Sequence, residues 1–113
     1  MAIIYKIFRA EEYAEFVSKG ETSGAPIDLA DGYVHFSTAD QAEETAAKHF
    51  AGETGLKLLK VDAVALEADL KWEPSRGGAL FPHLYRALRA SDVLSAHDLA
   101  LENGVHQFAE LLR

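Results

Sequence analysis

The chain contains no cysteine among its 113 residues. Disulfide bonds, thiolate zinc sites and cysteine nucleophiles are therefore excluded, and this composition is typical of proteins of a reducing cytoplasm. No apolar run approaches the roughly 20 residues that a membrane-spanning helix needs. The first six residues also lack the basic region and long apolar stretch of a signal peptide. We therefore expect a soluble, cytoplasmic protein that has no membrane partner.

Positive charge is also scarce, since 11 Lys and Arg residues face 18 Asp and Glu residues and give a formal net charge of -7. The average field repels phosphate backbones, which argues against general nucleic-acid binding but is compatible with a local basic pocket. The chain is 49% hydrophobic and 26% charged, as globular proteins are. Its length fits one core, so we expect a single domain over residues 1–113.

Several motifs that would define a common activity are missing. The sequence has no G-x-G-x-x-G, no P-loop and no G-x-S-x-G nucleophile elbow. Its five histidines include no pair at the i, i+4 spacing of a helical zinc motif, so no metal site is predicted. A nucleotide, if one binds, must use another kind of site.

Hydrophobic periodicity predicts a strand and then a helix at the start of the chain. Residues 2–8 are apolar and β-branched around one lysine, which favours a strand. Apolar residues then recur at helical spacing, and we expect a helix from Ala10 to Lys19 that ends at Gly20, which adopts left-handed backbone easily. Residues 20–32 are rich in glycine and polar side chains and predict a loop.

A capping motif predicts the start of the second helix. Residues 33–36 form a short β-type run, and Thr38 and Gln41 then stand at capping-box spacing, in which each side chain satisfies the other's free backbone amide. We expect this helix to continue to Phe50. Residues 56–64 alternate well enough to predict a strand.

The second half of the chain is less regular. Residues 72–78 contain Pro74 and two adjacent glycines, which suit no element interior, so we expect a long exposed loop of the kind that often carries function. Residues 84–88 and 93–101 favour closing strands, and 105–112 a short terminal helix. Strands and helices in this order predict an α+β fold.

The segment from Asp31 to Ser37 is the first candidate for chemistry. Strand alternation places His35 and Ser37 on one face and Val34 and Phe36 on the other. An imidazole can donate or accept a hydrogen bond near neutral pH, and the hydroxyl beside it can hold a ribose or an amide. The alternative interpretation is that Ser37 caps the helix and His35 is an interior histidine whose hydrogen bonds are satisfied.

The segment from Trp72 to Arg86 is the second candidate. Arg76 and Arg86 offer planar guanidinium groups that suit phosphate or carboxylate. The other candidates are Trp72 and Tyr85 for aromatic stacking, Glu73 as a general base or ribose ligand, His83 to orient or protonate a substrate, and Gly77 and Gly78 for close backbone approach. The alternative makes Trp72 and Phe81 covers of the core, Arg86 a salt-bridge partner and the glycines a turn.

Motifs along nearly the whole chain resemble a bacterial family catalogued as domain of unknown function 952. They are Tyr5-Lys6-Ile7, Asp31 to Ser37, Trp72-Glu73, Ser75 to Gly78 and Phe81 to Arg86. No activity is established for that family, so this resemblance implies membership and leaves the function open.

The order of strand, helix, D-G-x-x-H-x-S strand and capped helix resembles, more distantly, the ADP-ribosyltransferase superfamily and its RNA 2'-phosphotransferase branch. That resemblance implies a small split β-sheet fold that binds NAD. The positions that correspond to the family's first and second motifs are Tyr5-Lys6 and His35 to Ser37, and Glu73 is the candidate for its third, acidic motif. Tyr5 departs from the family's histidine or arginine, and an acidic chain fits an RNA substrate poorly.

Two functional hypotheses follow. In the first, the protein is an ADP-ribosyltransferase-like enzyme or a protein that binds NAD or ADP-ribose. Its catalytic candidates are His35, Glu73 and His83, and its ligand-binding candidates are Tyr5, Lys6, Asp31, Ser37, Trp72, Arg76, Gly77, Gly78, Tyr85 and Arg86. In the second, a non-catalytic module binds a small anionic ligand or a partner peptide in the same cleft through Arg76, His83 and Arg86. A third interpretation is that the polar segments only stabilise the fold.

Overall fold

Short antiparallel sheets and helices alternate along the chain in the computed structural model, which describes residues 2–75 and 78–112. In chain order its strands and α-helices are β1 (Ile3–Phe8), α1 (Ala10–Lys19), β2 (Glu21–Thr22), α2 (Pro26–Asp31), β3 (Val34–His35), α3 (Ala39–His49), β4 (Leu56–Asp62), β5 (Leu70–Pro74), β6 (Leu80–Leu84), β7 (Leu88–Arg89), β8 (Val93–Leu99), β9 (Leu101–Glu102) and β10 (Val105–His106). The protein therefore has an α+β fold. None of the helices in these described ranges is long and apolar enough to cross a membrane.

Two three-stranded sheets form the frame. The first has the order β1-β4-β8 and the second the order β3-β6-β5, and all their pairings are antiparallel. The remaining short strands pair as β2 with β7 and β9 with β10.

Strands β1 and β4 of the first sheet are buried on both faces, because a hydrophobic core covers each of the two sides to which their alternate residues point. On one side, Ile4 and Leu59 belong to a core that also contains Phe16 of α1. On the other side, Tyr5 and Leu58 belong to a second core with α3 and the chain end. Strand β1 is apolar on both faces for this reason, with one charged residue in its centre.

A single backbone bridge joins the two sheets. The Tyr5 amide donates to the Ser37 carbonyl at 2.7 Å, and the Ser37 amide donates to the Tyr5 carbonyl at 2.9 Å. The Phe36 amide then donates to the carbonyl of Pro82 in β6 at 3.0 Å. The bridge fixes where the edge of the first sheet meets the edge of the second.

The elements with strong local signals lie where the sequence predicts them. Strand β1 and helix α1 are confirmed, and Gly20 ends α1 with a φ of 78°. Helix α3 begins after Thr38, whose amide donates to Oε1 of Gln41 at 3.0 Å.

The prediction of a loop over residues 20–32 is wrong, because this stretch contains β2 and α2. Pro26 is the first residue of α2, a position where its missing N–H has no helical partner to lose. Asp28 then accepts the amide of Ala25 at 2.7 Å, which satisfies one of the free donors of the helix start.

The prediction of a long loop over residues 72–78 is also wrong. Trp72, Glu73 and Pro74 belong to β5, an edge strand where a proline can end the pairing. At the connection to β6, the Gly78 amide donates to the Ser75 carbonyl at 2.7 Å. Arg76 and Gly77 lie outside the described residues.

The closing elements differ in extent from their predictions. The strand expected at 84–88 lies earlier, as β6, and is followed by the short β7. The strand expected at 93–101 is divided into β8 and β9, and the expected helix at 105–112 is β10 followed by a 3-10 turn over Ala109–Leu112. Asn103 and Gly104 have positive φ values of 52° and 77° and turn β9 back onto β10, which helical periodicity alone does not reveal.

Candidate functional site

A cleft of about 460 Å³ opens beside the bridge between the two sheets. Its volume falls within the range of pockets that hold small molecules. The residues in its wall that bear on chemistry are Tyr5, Lys6, Arg9, Asp31, Tyr33, His35, Ser37, Thr45, His49, Ser75 and His83. Both candidate segments of the sequence therefore contribute to one cavity.

Strand alternation explains which side chains of the first segment reach this cleft. Val34 and Phe36 belong to the first hydrophobic core. His35 and Ser37 point to the other face and line the cleft. Ser37 is buried, and its hydroxyl lies 2.9 Å from the hydroxyl of Thr45 in α3, so it also ties the cleft wall to that helix.

Asp28 is a fully buried carboxylate beneath this wall. It accepts hydrogen bonds from Lys6 Nζ at 2.7 Å, from the Ala25 amide at 2.7 Å, from the His35 amide at 2.9 Å and from His35 Nδ1 at 2.5 Å. Burial by itself raises the pKa of this carboxyl, but the hydrogen bond from His35 and the Lys6 ammonium outweigh it and lower the pKa to about 2. Asp28 thus remains ionised and links β1, α2 and β3.

The two Lys or Arg side chains in the described part of the cleft wall, Lys6 and Arg9, are already paired with carboxylates. Lys6 is buried, and burial lowers its pKa while the neighbouring Asp28 opposes that shift. Arg9 donates from Nε and Nη2 to the two carboxylate oxygens of Glu53, at 2.8 and 3.0 Å, and also contacts Glu12. Neither charge is available to a ligand without competition from its carboxylate.

His35 stands between two carboxylates. Its Nδ1 lies 2.5 Å from Asp28 and its Nε2 lies 3.0 Å from Asp31. The Nδ1 contact is a hydrogen bond in which Nδ1 donates, because a carboxylate has no hydrogen to donate, and the Nε2 contact with Asp31 lies within ion-pair distance.

His83 is the cross-strand neighbour of His35, and the two ring centroids lie 5.1 Å apart. It is almost completely buried, and its Nδ1 lies 2.9 Å from Oε1 of Glu73. The same oxygen accepts the Tyr85 hydroxyl at 2.6 Å. Hydrogen bonds from Tyr85 and His83 lower the pKa of Glu73, and the bond to Glu73 raises the pKa of Tyr85 to about 12.

The second ring nitrogen of His83, Nε2, is buried and has no hydrogen-bond partner within the described residues. Buried polar atoms are nearly always satisfied in folded proteins, so an exception needs an explanation. Because His83 lines the cleft, a ligand in the cleft is one such explanation.

Tyr33 covers this part of the cleft. Its ring stacks on His83 with a centroid distance of 4.2 Å and an interplanar angle of 28°. It also contacts the rings of His35 at 4.7 Å and Tyr85 at 5.1 Å. Burial is the largest cause of the raised pKa of Tyr33, and nearby carboxylates add to it.

Some predicted site residues lie outside the cleft wall. Trp72 is exposed and lies on the opposite face of β5 from Glu73, by strand alternation. Glu73 is not in the cleft wall but contacts Nδ1 of His83, which is. Gly78 lies in the β5–β6 turn with a φ of 84°. Arg76 and Gly77, also predicted to bind a ligand, are not among the described residues.

Arg86 forms hydrogen bonds outside the cleft. It donates to Asp69 at 3.1 Å, to Asp92 at 2.8 and 3.2 Å and to the Ala87 carbonyl at 2.8 Å. Together with Tyr85 it lines a second, smaller depression of about 290 Å³. This guanidinium is therefore engaged by carboxylates, as the salt-bridge interpretation of the sequence expects.

Asp28 and Tyr33 were not selected from the sequence, and neither were Arg9, Thr45, His49 and Ser75 of the cleft wall. Asp28 pairs with Lys6, 22 positions away, and no local pattern indicates such a contact. Asp28 stands three residues after Ala25, the spacing of a capping residue at a helix start, but Gly24 and Gly32 on either side favour a loop. Tyr33 shares the strand alternation of His35 and Ser37, and that signal could have included it. Within residues 2–75 and 78–112, no group of three His, Asp or Glu side chains has the arrangement of a metal site.

The fold and the cleft define an α+β protein in which two antiparallel sheets meet at a cavity lined by histidine–carboxylate pairs. The chain belongs to the family described as protein of unknown function (DUF952), whose family model matches residues 7–96. The expected family membership is thereby confirmed.

The chain is also similar to solved structures of protein CC0527 from Caulobacter crescentus. Its crystal structure is 50% identical, covers 97% of both chains and gives a TM-score of 0.93. The solution NMR structure is 50% identical, covers 99% of this chain and 97% of that chain, and gives a TM-score of 0.88. No match is found among curated proteins.

Proposed function

We propose that the cleft binds NAD or ADP-ribose, as sites of the ADP-ribosyltransferase superfamily do. The observation that carries this proposal is the buried, unpartnered Nε2 of His83 in the wall of a cavity of about 460 Å³. A polar ligand that enters the cavity would satisfy this nitrogen and remove the cost of burying it without a partner.

The spatial relation of the two family-like motifs supports the choice of ligand. Tyr5 and Lys6 of β1 stand beside Ser37 because of the bridge between the sheets, and His35 lines the same cleft. The superfamily resemblance requires that these motifs lie together, although they are about 30 positions apart. A split between two sheets at this point is also what that resemblance implies.

The charges of the wall favour particular parts of the ligand. Asp31 and the carboxylate-bound histidines suit hydroxyl groups of a ribose and the positively charged nicotinamide ring of NAD. Lys6 and Arg9 are matched by their own carboxylates, so their contribution to pyrophosphate binding is small. We therefore expect NAD affinity to depend only weakly on salt concentration.

The alternative of a non-catalytic binding module rests on the position of Glu73. In the enzyme hypothesis this carboxylate stabilises positive charge at the reacting carbon of the ribose. Glu73 instead engages His83 and Tyr85 and is absent from the cleft wall. Asp31 is the carboxylate of the wall that remains for that role. Release of nicotinamide from NAD separates the enzyme from the module.

A thermal-shift titration with NAD, ADP-ribose, AMP and inorganic phosphate tests the proposal. A ligand at 100 times its dissociation constant stabilises the folded protein by about 2.7 kcal/mol, which is a shift of several degrees for a domain of this size. We expect shifts with NAD and ADP-ribose that inorganic phosphate does not reproduce.

His35→Ala should abolish the NAD-dependent shift, because it removes an imidazole ring that lines the cleft. His97→Ala is the matched control, since His97 lies on β8 and contacts Ser95 instead of the cleft. Each variant is compared with its own ligand-free melting temperature. The absence of any shift for the unmutated protein at millimolar NAD and ADP-ribose would contradict the proposal.

A further inference from the structure

The two histidines of the cleft face each other across paired strands but differ in their contacts. His35 contacts a carboxylate with each ring nitrogen, Asp28 with Nδ1 and Asp31 with Nε2. Its hydrogen bond is the one from Nδ1 to Asp28. His35 therefore has a carboxylate beside both ring nitrogens, whereas Glu73 contacts Nδ1 of His83.

In His83, Nδ1 is hydrogen-bonded, whereas Nε2 has no partner among the described residues. Glu73 accepts at Nδ1, so the hydrogen of a neutral ring lies on Nδ1 and the lone pair lies on Nε2. A doubly protonated ring would instead bury a second N–H without an acceptor, at a greater cost in free energy than an unpaired lone pair. The neutral Nδ1–H form is thus the one that the surroundings of His83 favour.

The Tyr85 hydroxyl reinforces this arrangement. It donates to the same Glu73 oxygen as His83 does, and therefore holds that oxygen in place beside Nδ1. Carboxylate–histidine pairs of this kind fix both the tautomer and the orientation of an imidazole ring. Hydrogen bonds therefore connect Tyr85 and Glu73, which are near the surface, with the buried His83.

We infer that His83, held by Glu73 as the Nδ1–H tautomer, is a hydrogen-bond acceptor of the cleft for a ligand hydroxyl. This deepens the proposed function, on which it rests, by naming the atom that meets a ribose hydroxyl. Glu73 is then a positioning residue. Tyr33 stacks on the face of the His83 ring, and the ligand hydroxyl approaches the edge of that ring at Nε2.

Long-range ¹H–¹⁵N NMR spectra of the ligand-free full chain test the tautomer directly. His83→Gln and His35→Gln identify the signals of the two rings by their loss. We expect one protonated and one unprotonated nitrogen for His83, with the unprotonated nitrogen at Nε2. A hydrogen on Nε2 of His83 in the free protein overturns the inference.

Glu73→Ala tests the positioning role without a cavity in the core, because Glu73 is only partly buried. We expect the His83 ring to lose its single tautomer and appear as a mixture. Glu102→Ala, at an exposed glutamate on β9, is the matched control and should leave the ring signals unchanged. Unchanged His83 signals in Glu73→Ala would remove Glu73 from the proposal.

Addition of NAD separates this inference from the proposed function. We expect the Nε2 signal of His83 to move on binding, and His83→Ala to weaken NAD by about tenfold, the effect of one hydrogen bond to a neutral acceptor. His106→Ala, which removes another buried histidine away from the cleft, controls for lost packing.

Binding without a change at Nε2 and with equal affinity in His83→Ala overturns the inference and leaves the proposed function standing. No binding by the unmutated protein contradicts the proposed function, and the tautomer of the free protein and its response to Glu73→Ala still decide the role of His83.

Discussion

Asp28 shows how much of the cleft depends on one side chain. It has no exposed surface, yet it accepts hydrogen bonds from a lysine of β1, from the start of α2 and from both the backbone and the ring of His35. The loss of one partner from a buried ion pair leaves an uncompensated charge, which costs about 3–5 kcal/mol. The arrangement of Lys6 and His35 in the cleft wall therefore relies on an ionised Asp28.

The pKa of Asp28 predicts how stability depends on pH. In the folded protein this pKa is about 2, below its ordinary value of 3.8, so the ionised form contributes stability above the ordinary value and loses it as pH falls toward the folded value. The contribution is about 2–3 kcal/mol. We expect the difference in unfolding free energy between the wild type and Asp28→Asn to narrow by about this amount when urea denaturation is repeated from about pH 5 down to about pH 2.

Asp98→Asn is the matched control for Asp28→Asn. Asp98 pairs with Lys57 but is mostly exposed, and exposed pairs contribute less than about 1 kcal/mol. An equal pH dependence in Asp28→Asn and Asp98→Asn would show that Asp28 is not the titrating group.

At the scale of the elements, Gln41 connects helix α3 to the second sheet. Its side-chain oxygen accepts the Thr38 amide at 3.0 Å and its side-chain nitrogen donates to the Leu80 carbonyl of β6 at 2.7 Å. One residue therefore both caps the helix and attaches it to the strand that carries His83.

Two substitutions of Gln41 separate these roles. Gln41→Ala loses both hydrogen bonds and should lower the unfolding free energy by about 1–2 kcal/mol. Gln41→Glu keeps an acceptor for the cap but has no hydrogen to donate to Leu80, so it should lose about half as much. Chemical denaturation measures both. Equal losses in the two variants would mean that the cap contributes nothing.

Local signals explain which elements the sequence predicts. Helix α1 has apolar periodicity and Gly20, and α3 has Thr38 and Gln41, so each boundary is specified by residues within one turn of it. The side-chain face of β3 follows from alternation alone, which is why His35 and Ser37 could be selected as neighbours in the cleft.

The elements that the sequence does not predict depend on distant partners. Strand β5 exists because it pairs with β6 from Leu70↔Leu84 to Pro74↔Leu80, and this register cannot be read from its irregular sequence. Strand β2 has only two residues and is defined by its pairing with β7. The contacts of Glu73 with His83 and of Lys6 with Asp28 follow from such registers, so the chemical state of the cleft was not predictable from composition or spacing.

At the scale of the whole molecule, Arg86 joins segments that are separated in the sequence. Its guanidinium contacts Asp69 just before β5 and Asp92 just before β8, so it connects the corner of the second sheet with the edge strand of the first. This network lies away from the cleft wall and belongs to the frame of the protein.

Arg86→Ala should lower the unfolding free energy by about 2–3 kcal/mol, because hydrogen bonds to charged partners are lost and Asp92 remains partly buried. The NAD affinity of the folded variant should remain that of the wild type. Arg89→Ala is the control, since Arg89 is an exposed arginine near the same turn. Loss of NAD affinity with an unchanged melting temperature would instead assign Arg86 to the ligand site.

The pairing of β1 with β4 has a consequence for synthesis of the protein. Residues Ile3 to Phe8 leave the ribosome before their partners, which lie between Lys57 and Asp62, and β4 in turn pairs with β8 as far as Leu99. The first sheet therefore cannot close until Leu99 has been translated, since each of its pairings joins distant segments. Until then the apolar residues of β1 lack their partner strand, and they are a site at which a chaperone binds or the nascent chain aggregates.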